Sequence, residues 1–208
     1  MNPEEETRIY KFNECISFRK TTEKYGGLSN MASGYPIVVN GIYIKSSEAL
    51  YQAMRFPHLP EVQMIIINES SPMTAKMKSK KYRSQTREDW EQIKIVIMKW
   101  VLRVKLIQNK ETFGRLLLET GSKTIVEEST KDNFWGAYFD GKEYKGMNIL
   151  GRLLMELREF YNIYTFDYIE PLKLNNFNLL GKPIDYIEKV NNKHEFLNTK
   201  NLFNYERK

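Results

Sequence analysis

The longest regular pattern in this sequence is a series of apolar residues that recurs at helical spacing over about six turns. The series consists of Trp90, Ile93, Ile97, Trp100, Val101, Val104 and Ile107. Other elements must cover the apolar stripe of so long a helix, so we expect it at the centre of the core. Thr86 and Asp89 precede it at the spacing of a capping box, with a shorter acid, which predicts that the helix begins there.

Shorter patterns on both sides of this helix predict a mixed fold. Residues 36–44 place Asn40-Gly41 between two β-branched and aromatic runs, the strongest short-range signal for a β-hairpin. Ser71-Pro72 is typical of a helix start, with Ser71 as the cap. Further helical patterns span residues 59–68, 113–119 and 147–161, and strand patterns span residues 16–18 and 124–127. These patterns place a small amino-terminal β-hairpin and further strands among several helices.

Length alone allows one domain or one domain plus an appendage. The chain has 208 residues, of which 41% are hydrophobic, enough for a sizeable core. We expect residues 1–16 to form a loose arm or an edge segment and residues 17–162 to form the main domain. Residues 163–208, rich in Asn and Lys, are expected to pack on it as an appendage with a frayed end.

Several classes of protein are not indicated by this composition. Cys15 is the single cysteine, and His58 and His194 belong to no motif, so we predict neither a disulfide framework nor a metal site. No cofactor is predicted. The chain lacks an apolar amino-terminal signal and any apolar run long enough to span a bilayer. We expect a cytoplasmic protein without a membrane partner.

A basic stretch interrupts the otherwise mixed charge of the chain, whose net charge is +6. Between residues 72 and 87 it contains no acid and six bases, namely Lys76, Lys78, Lys80, Lys81, Arg83 and Arg87. Such a patch suits a polyanion such as DNA, RNA or a pyrophosphate-bearing ligand. A lysine-rich surface helix is an equally good interpretation of charge alone.

Residues 46–57 predict a short helix with a polar row on one face. A serine at its start can cap it, and Pro57 disfavours helical backbone at the residue before it. Helical spacing places four polar side chains on one face, namely Glu48, Tyr51, Gln52 and Arg55. The row could line a polar site, or it could be a solvated face, which these residues alone favour.

Two loops add candidate binding residues. Residues 25–30 hold Gly26 and Gly27, which permit backbone conformations closed to other residues and the close approach of a ligand, although plain turns use glycine pairs as often. Residues 129–138 form a polar and aromatic loop that contains Asp132 and Trp135. Asp132 could equally be a turn residue that bonds its own backbone.

Motifs spread along the main domain carry a family resemblance. In order they are Tyr25-Gly26-Gly27-Leu28-Ser29-Asn30, Ser47-Glu48-Ala49-Leu50-Tyr51-Gln52-Ala53 with Phe56, Ala75-Lys76, Trp90, Lys105 with Gln108-Asn109, Leu117-Leu118 with Thr120-Gly121, Glu127-Glu128-Ser129, Asp132, Trp135-Gly136, Gly146-Met147-Asn148-Ile149-Leu150-Gly151-Arg152 and Leu154-Met155. Together they resemble the NADAR family over residues 17–161. Their number and order make the resemblance specific.

The resemblance implies a single, mostly helical α+β domain, here with a small amino-terminal β-hairpin, that cleaves an N-glycosidic bond to ribose. One branch of the family acts on phosphoribosyl-amino intermediates of riboflavin synthesis. Another removes ADP-ribose from guanine in DNA, as antitoxin to a DNA ADP-ribosyltransferase toxin. The amino-acid sequences of the two motifs at residues 47–57 and 71–78 resemble the second branch more closely.

Cleavage of a ribosyl–nitrogen bond needs a proton for the departing base and stabilisation of positive charge at the anomeric carbon. Glycosidases commonly use two carboxylates, and Glu48 and Asp132 are the candidates here. The resemblance also implies a second route, in which the amine of Lys76 attacks and forms a Schiff base with opened ribose. Lys78 is the reserve candidate for this nucleophile, and a plain surface lysine is the alternative for both.

The remaining candidates are expected to bind substrate. Tyr51, Trp90 and Trp135 could stack on a base, although core packing is the leading alternative for Trp90. Arg55 could bind a phosphate in bidentate fashion. Backbone and side-chain donors of the glycine loop could hold phosphates or ribose hydroxyls. The predicted binding residues are Gly26, Gly27, Ser29, Asn30, Tyr51, Gln52, Arg55, Lys78, Trp90, Trp135, Gly136 and Asn148.

Three hypotheses for function follow from these residues and the resemblance. The first is a hydrolase that removes ADP-ribose from guanine in DNA. The second is an N-glycosidase of small phosphoribosyl metabolites, which would not need the basic stretch. The third is a non-catalytic module that binds ADP-ribose or NAD. Salt dependence of DNA affinity would separate the first from the other two.

Overall fold

The computed structural model describes residues 6–164 and 167–189, which form two compact units. The first unit contains residues 6–32 and 113–164, and the second contains residues 33–112 and 167–189. Both units combine helices with small sheets, so the α+β prediction is confirmed. Within the described residues, no helix is long and apolar enough to cross a bilayer.

The regular elements of the described chain are named here in chain order. The strands are β1 (Arg8–Lys11), β2 (Cys15–Phe18), β3 (Ile37–Val39), β4 (Ile42–Ile44), β5 (Thr124–Glu127), β6 (Tyr138–Phe139), β7 (Glu143–Gly146), β8 (Tyr168–Ile169), β9 (Asn178–Leu179), β10 (Lys182–Pro183) and β11 (Ile187–Glu188). The helices are α1 (Ser47–Ala53), α2 (Pro60–Ile67), α3 (Pro72–Lys80), α4 (Trp90–Gln108), α5 (Arg115–Leu118) and α6 (Ile149–Ile163). Short 3-10 turns occupy Phe12–Glu14, Gly26–Leu28 and Arg83–Gln85, and a π-helical turn spans Lys110–Gly114.

The first unit is built around two pairings of strands. β2 pairs in parallel with β5, with Ile16 opposite Ile125, and α6 packs against β5. β1 pairs antiparallel with β7, and β6 pairs with the other side of β7. Residues 8–11 of the predicted amino-terminal arm therefore form an edge strand, one of the two alternatives that the sequence left open.

The second unit is built around α4, which buries Trp90, Ile97, Trp100, Val101, Val104 and Ile107 of the predicted series, whereas Ile93 is half-buried. Helices α1, α2 and α3 pack on one another, and α1 also packs on α4. The predicted hairpin is confirmed as β3 and β4, and its two turn residues, Asn40 and Gly41, have positive φ angles of 51° and 75°. Ser71 caps α3 in a reciprocal pair of bonds with Thr74.

Two predicted helix boundaries are wrong. No side chain caps α4 at Asp89, because the Asp89 carboxylate instead accepts hydrogen bonds from Arg87 at 2.6 and 3.0 Å. α1 ends at Ala53, four residues before Pro57, because the chain tightens there into bonds that span three residues, such as Phe56 N–H to Ala53 O.

The segment beyond the main domain belongs to the second unit in its described part. Gln63 of α2 donates to Asn178 O at 2.9 Å and accepts from Leu180 N at 2.7 Å. Trp100 of α4 donates from its indole nitrogen to Glu170 O at 3.0 Å. The segment thus pairs its backbone with buried polar side chains of α2 and α4. The predicted frayed end lies outside the described residues, and the predicted domain boundaries stay predictions.

Candidate active site

The polar row of α1 is buried, so its interpretation as a solvated face is wrong. All residues of α1 are buried, with Glu48 4% and Gln52 2% exposed. The helix begins as predicted, because the Ser46 hydroxyl accepts from Ala49 N at 3.2 Å. A buried carboxylate and amide need partners, since burial without hydrogen bonds destabilises the fold. The row is therefore a site within the core.

A chain of hydrogen bonds runs from Glu48 into α3. Gln52 Nε2 donates to Glu48 Oε1 at 2.8 Å, and the Ser79 hydroxyl lies 2.7 Å from Gln52 Oε1. The same hydroxyl lies 2.9 Å from Lys76 O, one turn earlier in α3. The amide of Gln52 is oriented by these two contacts, so it holds the Glu48 carboxylate in one position.

Tyr51, Trp90 and Arg55 form an aromatic and cationic cluster beside this chain. The Tyr51 and Trp90 rings lie 5.2 Å apart, and the Arg55 guanidinium carbon lies 4.1 Å from the Trp90 ring centre. Burial raises the pKa of Tyr51, which keeps the phenol neutral. Burial, and then the charge of Arg83, lowers the pKa of Arg55 to about 10. Trp90 is buried, as core packing requires, and its ring contacts the guanidinium of the half-buried Arg55.

Three buried polar atoms in this region have no hydrogen-bond partner among the described residues. They are Arg55 Nε, Trp90 Nε1 and Thr86 Oγ1. Two of them are N–H donors, and the third is a hydroxyl. Buried donors without partners are rare in folded proteins. A cationic donor beside an indole N–H is suited to an anionic group such as phosphate.

The two candidate lysines lie on α3, which packs against α1. Lys76 and Lys78 are both half-buried. Lys78 Nζ lies 3.7 Å from a carboxylate oxygen of Glu69, so part of its charge is already compensated. Lys76 remains the first candidate for the nucleophile, and this assignment stays a prediction.

The basic stretch does not form a uniform patch. Lys80, Lys81 and Arg83 are exposed at the end of α3 and in the turn that follows. Arg87 is buried and bonded to Asp89, so it is not available to a polyanion. The positive surface is therefore smaller than the six bases of the sequence indicate.

The predicted glycine loop lies in the first unit, where the packing of the backbone explains why residue 26 is a glycine. A Cβ atom at Gly26 would collide with the backbone of Lys20 and Thr21. The close approach that glycine permits here is thus to the chain itself. Ser29 Oγ lies 3.4 Å from Glu127 Oε1 and also accepts from Met31 N at 3.1 Å. Ligand binding by Gly26, Gly27, Ser29 and Asn30 stays a prediction.

Asp132 is an exposed turn residue in this unit. Its Oδ1 accepts from Phe134 N at 3.1 Å and Trp135 N at 2.9 Å, which was the alternative to a catalytic role. Trp135 is half-buried with its ring edge-on to Phe134. A Cβ at Gly136 would lie 2.5 Å from Glu127 O, so the close approach of these two backbone segments requires glycine at position 136.

Asn148 holds the start of α6 against β5. Its side chain donates to Ile125 O at 2.8 Å and accepts from Glu127 N at 3.1 Å. Its φ angle is 49°, in the left-handed region that Asn tolerates better than most residues. The structure thus gives Asn148 a fold-determining role, and its predicted contact with substrate stays a prediction.

The second unit brings together five of the predicted site residues, namely Glu48, Tyr51, Gln52, Arg55 and Trp90. The proposed pairing of Glu48 with Asp132 joins residues of different units and stays a prediction. Sequence reasoning missed Ser79 and Glu127. The helical spacing from Ala75 to Ser79, with Pro72, could have placed Ser79 on the buried face of α3. Glu127 belongs to one of the motifs that carry the family resemblance, but the sequence analysis assigned it no role.

Within the described residues, no cluster of three or more His, Cys, Asp or Glu could hold a metal ion. A buried glutamate, an amide held by two hydrogen bonds, a tilted aromatic pair and a half-buried guanidinium define a candidate enzyme site. The model of the NADAR domain matches residues 17–161, which is more than half of the chain. The protein belongs to the NADAR family.

Relatives in this family are named for N-glycosidase and riboflavin functions. "N-glycosidase YbiA" of Escherichia coli K12 is 38% identical over 147 residues, which are 69% of this chain and 86% of YbiA. "Riboflavin biosynthesis protein VVA0006" of Vibrio vulnificus is 34% identical over 190 residues, which are 86% of this chain and 48% of that protein. The NMR structure of E. coli YbiA is similar at a TM-score of 0.63, covering 72% of this chain and 85% of YbiA.

Proposed function

We propose that this protein is an N-glycosidase that removes ADP-ribose from guanine in DNA and acts as antitoxin to a DNA ADP-ribosyltransferase toxin. Family membership and the names of its relatives support cleavage of an N-glycosyl bond. The observation that carries the proposal is the cluster of the buried Glu48 and Trp90 with the half-buried Arg55. It combines a candidate proton donor with a cation and an aromatic ring, which are the groups that a nucleotide-linked ribose requires.

Arg55 supports a substrate with a phosphate or pyrophosphate. Its guanidinium is held beside Trp90 with Nε unpartnered, and burial disfavours its charge. An anionic ligand would supply the missing hydrogen bond and compensate the charge, so binding would relieve both penalties. ADP-ribose offers two phosphates for this contact and an adenine for stacking.

DNA as the larger part of the substrate is supported by the exposed bases Lys80, Lys81 and Arg83. The outer face of α3 also exposes Met73 and Met77, each more than half accessible. Enzymes that act on a base within a duplex commonly combine cationic contacts to phosphate with apolar side chains that fill the vacated stack. α3 offers both kinds of group.

In the proposed reaction, the bond between the guanine base and C1″, the anomeric carbon of the terminal ribose of ADP-ribose, breaks, and its electron pair leaves with guanine. Glu48 supplies the proton that the departing nitrogen needs, and Gln52 keeps its carboxyl in place. The amine of Lys76 forms a bond to C1″, and one of its protons passes to the ring oxygen as the bond between C1″ and that oxygen breaks and the ribose opens. Water then hydrolyses the protonated imine, which releases ADP-ribose, restores the lysine amine and returns a proton to Glu48.

The lysine route predicts that borohydride traps a covalent adduct between the wild-type protein and ADP-ribose. Lys76→Arg should abolish the adduct, because guanidinium is not a nucleophile at neutral pH. Lys78→Arg is the matched control and should leave it. Mass spectrometry of tryptic peptides would locate the adduct. Loss of the adduct only in Lys78→Arg would reassign the nucleophile, and no adduct in any protein would exclude the Schiff base.

The function is tested with an oligonucleotide that carries ADP-ribosylated guanine. The proposal expects wild-type protein to release ADP-ribose, measured by chromatography, and to leave unmodified guanine in the strand. A second candidate is favoured by the riboflavin relative and would instead cleave a phosphoribosyl-pyrimidine intermediate. Cleavage of that metabolite alone would reject the DNA substrate. Binding of ADP-ribose without cleavage of either substrate would identify a binding module.

A DNA substrate predicts a salt effect from the exposed lysines of α3. Replacing Lys80 and Lys81 by glutamine should weaken oligonucleotide binding and reduce the slope of log K against log salt by about 1–2, because two phosphate contacts are lost. The affinity for free ADP-ribose should not change. Lys142→Gln with Lys173→Gln removes two other exposed charges and is the matched control. Equal effects of both pairs would argue against a DNA surface on α3.

A further inference from the structure

Arg87 is a buried cation with several hydrogen bonds that the proposed reaction does not use. Its side chain is 8% exposed. It donates to both carboxylate oxygens of Asp89, to Asn175 O at 2.7 Å and to Asn176 O at 3.3 Å. The guanidinium fork thus joins the loop before α4 to a turn that lies about 90 residues later in the sequence.

The backbone of Arg87 is bonded to the candidate site. Arg87 N donates to Arg55 O at 2.9 Å, and Arg87 O accepts from Trp90 N at 3.2 Å. These bonds fix the main chain of the two residues that carry the cation and the indole of the site. A shift of Arg87 would therefore shift Arg55 and Trp90 together.

The turn at Asn175–Asn176 lies beyond the NADAR match, which ends at residue 161. Asn176 has a φ angle of 51°, a conformation that strongly disfavours β-branched residues. The turn also borders a cleft of about 630 Å³ with residues 57–59 and 84–89. Pro57 and Asp89 on its walls are near neighbours in sequence of Arg55 and Trp90, and the cleft contains Thr86, whose hydroxyl is unpartnered.

We propose that the carboxy-terminal segment is a working part of the active centre, in which Arg87 clamps the Asn175–Asn176 turn and thereby positions Arg55 and Trp90. Arg87 is a positioning residue, since it acts through the backbone of residues that would touch the substrate. The assignment of those two residues to substrate rests on the proposed function. The clamp itself is a statement about this chain's geometry and can be tested separately.

The first test changes the turn without touching the site. Asn176→Val disfavours the left-handed backbone and should withdraw the two carbonyls from Arg87, whereas Asn176→Gly tolerates this conformation and is the matched control. In ¹⁵N spectra, the indole N–H signal of Trp90, assigned with Trp90→Phe, should shift in Asn176→Val and stay in Asn176→Gly. The signal of Trp135, in the other unit, should stay in both variants.

The second test uses affinity at a temperature far below unfolding, with the folded state verified by circular dichroism. Asn176→Val should weaken ADP-ribose binding about 10-fold, because small misplacements of binding groups have large effects. Arg87→Lys, which keeps the charge but lacks the fork, should weaken it as well. An unchanged Trp90 signal in folded Asn176→Val would overturn the clamp. The Trp90 signal could shift in Asn176→Val although the wild-type protein neither binds nor releases ADP-ribose. That result would reject the proposed function and keep the clamp.

Discussion

Replacing Glu48 with glutamine is expected to lower the rate of ADP-ribose release by about 100- to 10,000-fold, the range typical of a lost general acid or base. Glutamine has nearly the same size and can still accept the hydrogen bond from Gln52 Nε2, so the buried row should remain folded. It cannot deliver a carboxyl proton. We therefore expect kcat to fall while the affinity for ADP-ribose changes little. Single-turnover release from a modified oligonucleotide would measure the effect.

Two further variants define what the Glu48 result means. Glu61→Gln makes the same chemical change on the exposed side of α2 and should be silent. Asp132→Asn keeps an oxygen that can accept from Phe134 N and Trp135 N, so its turn should persist. A large loss of activity in Asp132→Asn would support the two-carboxylate mechanism. Full activity of Glu48→Gln would remove Glu48 from the chemistry.

The second large effect is expected at Lys105, whose replacement by methionine should stabilise the protein most near neutral pH. Lys105 is fully buried in α4, and burial lowers the pKa of its amine to about 7. Its Nζ lies 4.5 Å from the ring centre of Tyr35, a contact that a methionine sulfur can partly replace. Methionine has a similar length and removes the charge that burial disfavours.

The pH dependence has a definite sign. The unfolded chain binds the Lys105 proton more tightly than the folded protein does, so this residue makes stability rise with pH between the folded and unfolded pKa values. The penalty is absent above the unfolded pKa and complete below about pH 7. The gain in free energy of unfolding from Lys105→Met should thus be several kcal/mol larger near pH 7 than above about pH 10.

Chemical denaturation of both proteins across this range measures the difference. Lys99→Met, at a half-buried position of the same helix, is the matched control and should show a weaker dependence on pH. A Lys105→Met variant that is less stable than wild type at every pH would mean that the hydrogen bonds of this amine outweigh its burial.

Local patterns predicted the elements whose signals lie within a few residues. Asn40-Gly41 predicted the hairpin because the turn of a hairpin needs two residues with positive φ angles. Ser71-Pro72 predicted a helix start because the serine hydroxyl can cap the helix and the proline ring fits its first turn. The Thr86–Asp89 box failed for an equally local reason. Arg87 lies two residues from Asp89 and binds its carboxylate, so the side chain cannot cap the helix.

The candidate site was predicted only in part, because periodicity identifies which side chains share a face but not what covers that face. Glu48 and Gln52 were placed together correctly. Their burial depends on α3 and α4, which supply Ser79 and Trp90 from more distant sequence. The environment of Arg55 likewise depends on contact with the Trp90 ring and, after burial, on the charge of Arg83, which lowers its pKa. Contacts of this kind are set by tertiary packing and leave no spacing in the sequence.

The complete burial of α1 also bears on how the protein acquires activity during synthesis. α1 has 7 residues, whereas isolated helices below about 12–15 residues are marginal in water. The segment therefore has no reason to stay helical on a ribosome before α3 and α4 have emerged. The residues proposed to contact the substrate can come together only when much of the second unit has been translated. A chain that terminates before α4 therefore lacks both Trp90 and a helix against which α1 packs.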